Sequence, residues 1–512
     1  MNDRPSYPWS EGDALFATEL NAAIANAGGG LGGAENVLVH GADPTGVTDS
    51  TAAFNAAAAV VASGSTRHKA VYVPTGTYRV NGQINLTACQ AFYGDSRGSS
   101  VLMIDDRFDP AAAAVIMVTA SNYDAGPVLR DFGITFAQPL DQGSRANFMT
   151  LAAGGTSGPG GTGVMYPPAI ASGTSSFRIQ VIRVRIQCAW VGITTNGNNT
   201  VFWLDDIEMS ALNIGVNVGD GPGVQDFMHI NQFHFWSFGI NTANALWNVY
   251  SDGQTISLQV GRCDGLNIKD FSSFWGRLVF IGDGGFTSCH LVNAMMDGDG
   301  ATIEVNGTGI GHLFISNMYG SAGTTRVRPL LGFNAAGHIR INNFYSHSSS
   351  NFPEIVVSNP NADVAVSGFW NTFYTLGVNW AQIVRGTLRL TNGYVAPVGT
   401  RTAPVIEETT NGNLVIDNVQ IDGGGAAGSG GIAVRMVTAG PATMIGRVSF
   451  TAGSTWTWSL PAALSLTTYS PKIGFPGLQA STTYASDAAA AAGGVAIGQL
   501  YRNGSVVQIR IA

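Results

Sequence analysis

The feature that most constrains this chain is a short segment that recurs through its middle. Leu204-Asp205-Asp206-Ile207, Ile230-Asn231-Gln232-Phe233, Ile268-Lys269-Asp270-Phe271 and Leu291-Val292-Asn293-Ala294 open the series. Ile315-Ser316-Asn317-Met318, Ile341-Asn342-Asn343-Phe344, Val366-Ser367-Gly368-Phe369, Leu390-Thr391-Asn392-Gly393 and Ile416-Asp417-Asn418-Val419 continue it. The third residue is Asn, Asp or Gly in all but one, at positions 206, 232, 270, 293, 317, 343, 368, 392 and 418. Successive steps are 26, 38, 23, 24, 26, 25, 24 and 26. A period near 24 with one long interval is the mark of a solenoid carrying a single large insertion, which here includes Asp252 and Asp264.

Each unit is a β-coil. The segments are too short and too β-branched for helices. Apolar residues sit two before the central position, then one and three after it. A straight strand keeps side-chain parity, so the chain must bend there. Asn, Asp and Gly tolerate the left-handed backbone of such a bend, and stacked Asn side chains can hydrogen-bond along the stack. About 24 residues per coil suits three strands, so the spacing predicts an all-β, three-sheeted parallel β-helix. Such a coil also accounts for the low charge: 11% of residues, against roughly 25% in an ordinary soluble domain.

Four zones follow. Residues 1–33 are expected to form a short helical head, with Leu15, Leu20 and Ile24 on one face and a Gly-rich linker after it. Residues 34–127 hold the opening coils, with a strand over Asn36–Val39 and a capping helix from Asp49-Ser50-Thr51 to about Ala62. The body of the solenoid spans 128–423. Residues 424–512 lose the period and read as a small C-terminal β cap or trimerisation region. Net charge is −8 with no basic run, which excludes nucleic acid as a partner. No stretch approaches the roughly 20 apolar residues of a membrane span. The first residues lack an apolar signal core, so synthesis in the cytoplasm without Sec export is expected. Cys89, Cys188, Cys263 and Cys289 have no metal-binding spacing and read as buried thiols. Neither a metal nor a cofactor is expected.

Gly41-Ala42-Asp43-Pro44-Thr45-Gly46-Val47-Thr48-Asp49-Ser50, with Ala53-Phe54, and Val71-Tyr72-Val73-Pro74-Thr75-Gly76-Thr77-Tyr78 resemble the start of the pectate-lyase-like superfamily, as in phage tailspikes. The resemblance covers roughly residues 36–104 and carries no catalytic group. It implies a right-handed parallel β-helix, usually a homotrimer, acting on extracellular or bacterial surface polysaccharide. The N-terminal helix and the ending at Gly494–Ala512 resemble phage or prophage tail proteins, which implies a place in a phage virion tail, docked to tail or baseplate through the N-terminal head, or outside the cell. A tailspike-like glycoside hydrolase is the leading expectation. A polysaccharide lyase acting on uronates and a non-catalytic receptor-binding tail protein are the alternatives.

The repeat frame locates outward columns, because equivalent positions on adjacent coils lie about 4.8 Å apart. Two residues after the bend the column reads Arg185, Glu208, His234, Ser272, Met295, Tyr319, Tyr345, Trp370, Tyr394 and Gln420. Three before it, the column reads Trp203, His229, Asn267, His290, Phe314, Arg340, Ala365 and Arg389. Glycosidic hydrolysis needs two carboxyl groups. Asp205 and Glu208 flank one bend and form the best-placed pair, Asp205 as acid and Glu208 as base or nucleophile. His234 would orient Glu208, and Arg185 would favour its ionised form. Arg185, Trp203, His229, Tyr319, Tyr345, Trp370 and Tyr394 would bind sugar rings, or the aromatic run would lie beneath a neighbouring subunit. Asp297, Asp299 and Glu304 form a second acidic cluster, read as catalytic candidates or as an ordinary turn. For elimination, His229, His234, Arg340 and Arg389 could supply the base and the positive group.

Overall fold

The computed structural model describes residues 33–62, 69–87, 91–109, 111–119, 127–138, 166–173, 178–195, 201–219, 227–240, 242, 246–282, 288–323, 326–373, 377–397, 401–422, 430–438, 443–450, 455–459, 485–493, 500–503 and 506–509. The expected helical head at 1–33 lies outside them, apart from Gly33. The chain divides into two compact units, Met1–Val249 and Tyr250–Ala512. Each is a parallel β-solenoid.

In the first unit three parallel ladders run side by side. One stacks Ala34–Asn36, Ala70–Val73, Ala91–Gly94, Val128–Arg130, Arg178–Ile182, the start of Val201–Val218, and Met228–Phe235. The second stacks Gly76–Arg79, Ser100–Ile104, Gly133–Phe136, the start of Arg185–Thr194, and Val201–Val218 beyond its bend. The third stacks Ile84–Leu86, Ile116–Val118, Ile170–Ser172 and the end of Arg185–Thr194. The fold is therefore the expected all-β, three-sheeted stack.

The opening motif has a structural task. The Asp43 carboxylate accepts hydrogen bonds from the backbone and hydroxyl of Thr45 (2.9 and 2.6 Å), from those of Thr48 (2.7 and 2.9 Å), and from Val47 N (3.1 Å). These bonds, that of the Thr45 hydroxyl foremost, hold its carboxyl well below the usual range. A Cβ on Gly76 would lie 2.6 Å from the Cβ of Pro44, so only glycine lets the two turns of the motif touch. The strand expected over Asn36–Val39 stops at Asn36. Its side chain accepts from Leu38 N (2.9 Å) and starts a 3-10 turn over Val37–His40, which ends on left-handed Gly41. The helix Thr51–Ala62 begins where Asp49 accepts from Thr51 N (3.0 Å). It buries Phe54, Ala57, Ala58 and Val61, with Phe54 against the rings of Tyr78 and Phe92. Asn55 donates to the Gln83 carbonyl (2.8 Å) and accepts from Asn85 N (2.9 Å), which satisfies backbone groups along the strand Ile84–Leu86.

In the second unit each coil supplies one long strand and one short one. The long strands are Leu266–Phe274, Ser288–Asp297, His312–Ala322, Gly337–Ser348, Ala362–Phe373, Thr387–Pro397 and Asn413–Ile421, paired in register. Each bends where the sequence places its Asn, Asp or Gly. From Asp270 to Asn418 these residues have φ between +54° and +64°. Asn293 donates to Asp270 (2.7 Å), Asn317 to Asn293 (3.1 Å), Asn343 to Asn317 (3.0 Å) and Asn418 to Asn392 (2.8 Å). The bend resets parity, so Ile268, Leu291, Ile315, Ile341, Val366, Leu390 and Ile416 form one buried column. Each such side chain contributes roughly 1.5–3 kcal/mol by leaving water. Parallel pairing extends beyond Ile421: Gly430–Met436 stacks on Ile406–Glu408, and Thr455–Ser459 on Gly430–Met436. Leu500–Asn503 and Val506–Ile509 form an antiparallel pair. Cys188, Cys263 and Cys289 are buried free thiols. Among the described residues no helix is long and apolar enough to cross a membrane.

Candidate functional site

The strand Val201–Val218 bends at Asp206, whose φ is +52°. The bend separates Trp203 and Asp205 on one face from Glu208 on the next. Arg185, Glu208 and His234 are in register on three successive coils, the row expected from the repeat. The row is also chemically connected. Arg185 Nε donates to Glu208 Oε2 (2.5 Å), and Arg97 Nη2 contacts Glu208 Oε1 (2.9 Å). The other terminal nitrogen of Arg97 donates to Asp206 Oδ1 (2.8 Å). Both oxygens of Glu208 thus face guanidinium groups, and its side chain is 16% exposed.

Arg97 was not among the sequence candidates. It sits in the turn between Ala91–Gly94 and Ser100–Ile104, 109 residues before Asp206. A Cβ on Gly133 would come within 2.6 Å of the Arg97 carbonyl oxygen, so glycine there lets this turn lie close against the next coil. The available signal was an arginine in a Gly-Asp-Ser-Arg-Gly turn, and it gave no register.

His234 packs beside Trp236 (5.5 Å between centroids) and edge-on to Phe238 (5.2 Å). The Arg185 guanidinium lies 5.7 Å from the Phe238 centroid. Burial pulls the His234 imidazole below its ordinary value; Glu208 opposes this shift and Arg97 adds to it. Neutral imidazole can accept a proton or orient a hydroxyl. Asp205 has a different partner: Asn231 Nδ2 donates to its Oδ1 (2.7 Å). Asp205 and Glu208 share no partner among the described residues. The carboxylate linked to Glu208, through Arg97, is Asp206. Trp203 and His229 are neighbours in register with rings 4.5 Å apart, and Phe227 lies 4.7 Å from His229. Burial also lowers His229.

In the second unit Tyr319, Tyr345, Trp370 and Tyr394 form one column in register. Tyr319 stacks on Tyr345 (5.6 Å), and Trp370 meets Tyr394 at 5.0 Å. Trp370 is 59% exposed. The Tyr394 hydroxyl donates to Asp422 (2.6 Å); burial and this carboxylate push its phenol up to about 12. The second acidic cluster is divided among separate partners. Asp297 accepts from Gly298 N (2.9 Å), and Asp299 is buried and accepts from Gly323 N. Glu304 is buried in a bidentate pair with Arg277 (2.9 and 2.6 Å) and also accepts from Thr302 (2.7 Å) and Asn306 (3.0 Å). Burial alone would raise its carboxyl, but these partners outweigh burial and hold it below the usual value. Among the described residues no three His, Cys, Asp or Glu side chains are grouped to hold a metal.

Comparison with known proteins gives three findings. Residues 34–263 match the family model described as rhamnogalacturonase A/epimerase, pectate lyase-like. No curated protein matches. Solved structures with similarity include the catalytic unit of a GH87 α-1,3-glucanase from Streptomyces thermodiastaticus (16% identity, TM-score 0.40, covering 84% of this chain and 70% of that one). The N-terminal fragment of bacteriophage Phi29 gene product 12 is another (13%, 0.35, 86% and 73%). A third is the enzymatically active domain of bacteriophage CBA120 tailspike protein 2 (13%, 0.33, 75% of this chain), of which this chain spans about half, 52%. The ladders, the left-handed corners and the opening motif agree with the first finding: over residues 34–263 this parallel β-solenoid is similar to the pectate lyase-like family.

Proposed function

We propose that the protein is a tailspike-type depolymerase that cleaves bacterial surface or exopolysaccharide inside the chain, by hydrolysis at the Arg185–Glu208–His234 row. The observation that carries this reading is Glu208, an outward carboxylate contacted by two guanidinium groups beside an imidazole that burial keeps toward its neutral form. Glu208 serves as base or nucleophile, and Asp205 across the bend as acid. His234 orients Glu208 or the attacking water. Trp203 and His229 offer ring faces to sugars, as do Tyr319, Tyr345, Trp370 and Tyr394 in the second unit. As a tailspike-type protein it acts as a homotrimer in a phage virion tail or outside the cell.

A lyase is the second reading, favoured by one observation: two arginines lie next to a neutral-leaning histidine. There His234 would take the proton from the uronate while Arg97 or Arg185 holds the carboxylate. The test is incubation with a panel of bacterial polysaccharides. New reducing ends without an ultraviolet-absorbing unsaturated product are expected, and the unsaturated product would mean elimination. Binding without shortening of the polymer would leave a receptor-binding role. Glu208→Gln should lower hydrolysis by roughly 10²–10⁴-fold with melting temperature unchanged; full activity in that variant removes the assignment.

A further inference from the structure

The long strands of the second unit have another outward face, ahead of the bend. It is separate from the Glu208 row and from the aromatic column that follows the bend. His290, Phe314, Arg340, Ala365 and Arg389 are in register there. Two positions earlier, His312, His338 and Asp363 are in register as well. Four rings form one continuous stack. His290 lies on Phe314 (4.9 Å, 28°), Phe314 on His312 (6.0 Å, 23°), and His312 on His338 (5.5 Å, 27°). Phe314 is 37% exposed and the His338 side chain 60% exposed.

Beyond the stack lie two guanidinium groups. Arg340 Nη2 (2.7 Å) and Arg389 Nε (3.0 Å) both donate to Asp363, and His338 Nδ1 stands 3.7 Å from it. Asp363 is the one carboxylate on this face among the described residues of strands Ser288–Asp297 to Thr387–Pro397. One carboxylate shared by two arginines leaves a net positive charge on a chain whose total is −8. Arg389 uses only its Nε among the described residues and its side chain is 42% exposed, so its terminal nitrogens have donors to give.

We infer that this face is a second polysaccharide-binding surface, separate from the row assigned to cleavage, and that it takes an anionic glycan. Stacked rings suit the faces of sugar rings. Guanidinium donors suit the acidic groups that such a polymer carries. The spacing fits an extended polymer: from His290 to Arg389 the face crosses five coils, about 19 Å at the ladder spacing, and one sugar is similar in length to one coil. A neutral glycan would offer no acidic group to the terminal nitrogens of Arg389, so charge decides the class.

The experiment is affinity electrophoresis of the full chain in gels containing dextran or carboxymethyl dextran, which share a backbone and differ in charge. Retardation by the carboxymethyl polymer alone is expected. Arg389→Gln and Phe314→Ala should each weaken it by about tenfold, the usual effect of one charge-assisted hydrogen bond or one ring contact. Both side chains are exposed, so an unchanged melting temperature certifies the variants. Glu208→Gln should keep full retardation while losing cleavage, which separates this surface from the catalytic assignment. Equal retardation by both polymers, none by either, or an Arg389→Gln variant that migrates like the parent would overturn the inference. Loss of retardation in Glu208→Gln would overturn it too, by moving binding to the cleavage row.

Discussion

In the second unit the bend residues from Asp270 to Asn418 are mostly amides, and Asn293, Asn317, Asn343 and Asn418 each pass a hydrogen bond to the coil before. In the first unit the same structural position holds Asp131, Arg183, Asp206 and Gln232, all at φ between +51° and +61°. There the neighbours are joined by charge. Arg183 makes two bonds to Asp131 (2.6 and 2.9 Å), and Arg97 joins Asp206 to Glu208. Arginine and glutamine are poor residues for a left-handed backbone, at a cost of roughly 1–2 kcal/mol each. The bend therefore does not require an amide ladder, and the first unit departs from the locally favourable choice. Departures of this kind gather where a chain does chemistry. The second unit places its strongest charges differently, inside: the Arg277–Glu304 pair, and Glu354 with the side chains of Ser346, Asn371 and Trp380 around it. In the proposed reading the charges of the first unit work at the surface; in the second unit the buried ones set stability, while Arg340, Asp363 and Arg389 stay at the surface.

That contrast can be broken in four places. The largest effect is expected at Arg277. Arg277→Met strands the Glu304 carboxylate in the interior and should cost about 3–5 kcal/mol. Urea unfolding followed by tryptophan fluorescence would measure it, and a cost near zero would end the claim that this pair holds the second unit together.

Next comes Glu354, fully buried. Burial pushes its carboxyl up to about 7, against the lowering effects of Ser346, Arg326, Trp380 and Asn371. The folded state thus holds its proton more tightly than the unfolded one. The associated stability is complete below the unfolded value near 4.5 and is lost as pH rises through about 7. The full swing is about 3 kcal/mol at most. Glu354→Gln should flatten that slope; an unchanged slope would assign it to another group.

A smaller loss, about 2 kcal/mol, is expected for Asn317→Ala, from the left-handed backbone at φ +57° and the lost bond to Asn293. Asn317→Gly should recover the backbone part, and neither variant should alter cleavage. The mildest change is Arg97→Gln, roughly a tenfold loss of turnover for one charge-assisted bond. In the proposed mechanism Arg97 acts as a positioning residue, and it also lowers His234. The acid limb of the pH–activity profile should move to higher pH in Arg97→Gln, and Arg97→Lys should restore it in part. A profile that falls without shifting would leave Arg97 a purely structural part.

The solenoid was legible because its corner imposes a local rule. The left-handed backbone at Asn293, Asn317 and Asn343 selects its residue type, and the reset of parity exposes itself in Ile315 and Met318 on either side. Once the frame was set, neighbours 23–26 residues apart could be aligned, which brought Arg185, Glu208 and His234 into one row. Arg97 lay beyond this reasoning, because its turn has no periodic frame and reaches Asp206 across several coils. The surroundings of Glu304 were not legible for another reason: a short strand gives too little pattern to tell an exposed carboxylate from one closed over by Arg277, Thr302 and Asn306. Asp205 and Glu208 are near in sequence, but the bend turns them to different partners.

Asn55 carries a last consequence. A stack of parallel strands has raw edges that invite another copy, and a polymer of such stacks would have no natural length. By donating its amide to the Gln83 carbonyl and accepting a hydrogen bond from Asn85 N, one side chain of the helix Thr51–Ala62 occupies hydrogen-bonding positions that a foreign strand would need. The helix is in that sense a guard against fibre growth, and loss of Asn55 would show first as aggregation.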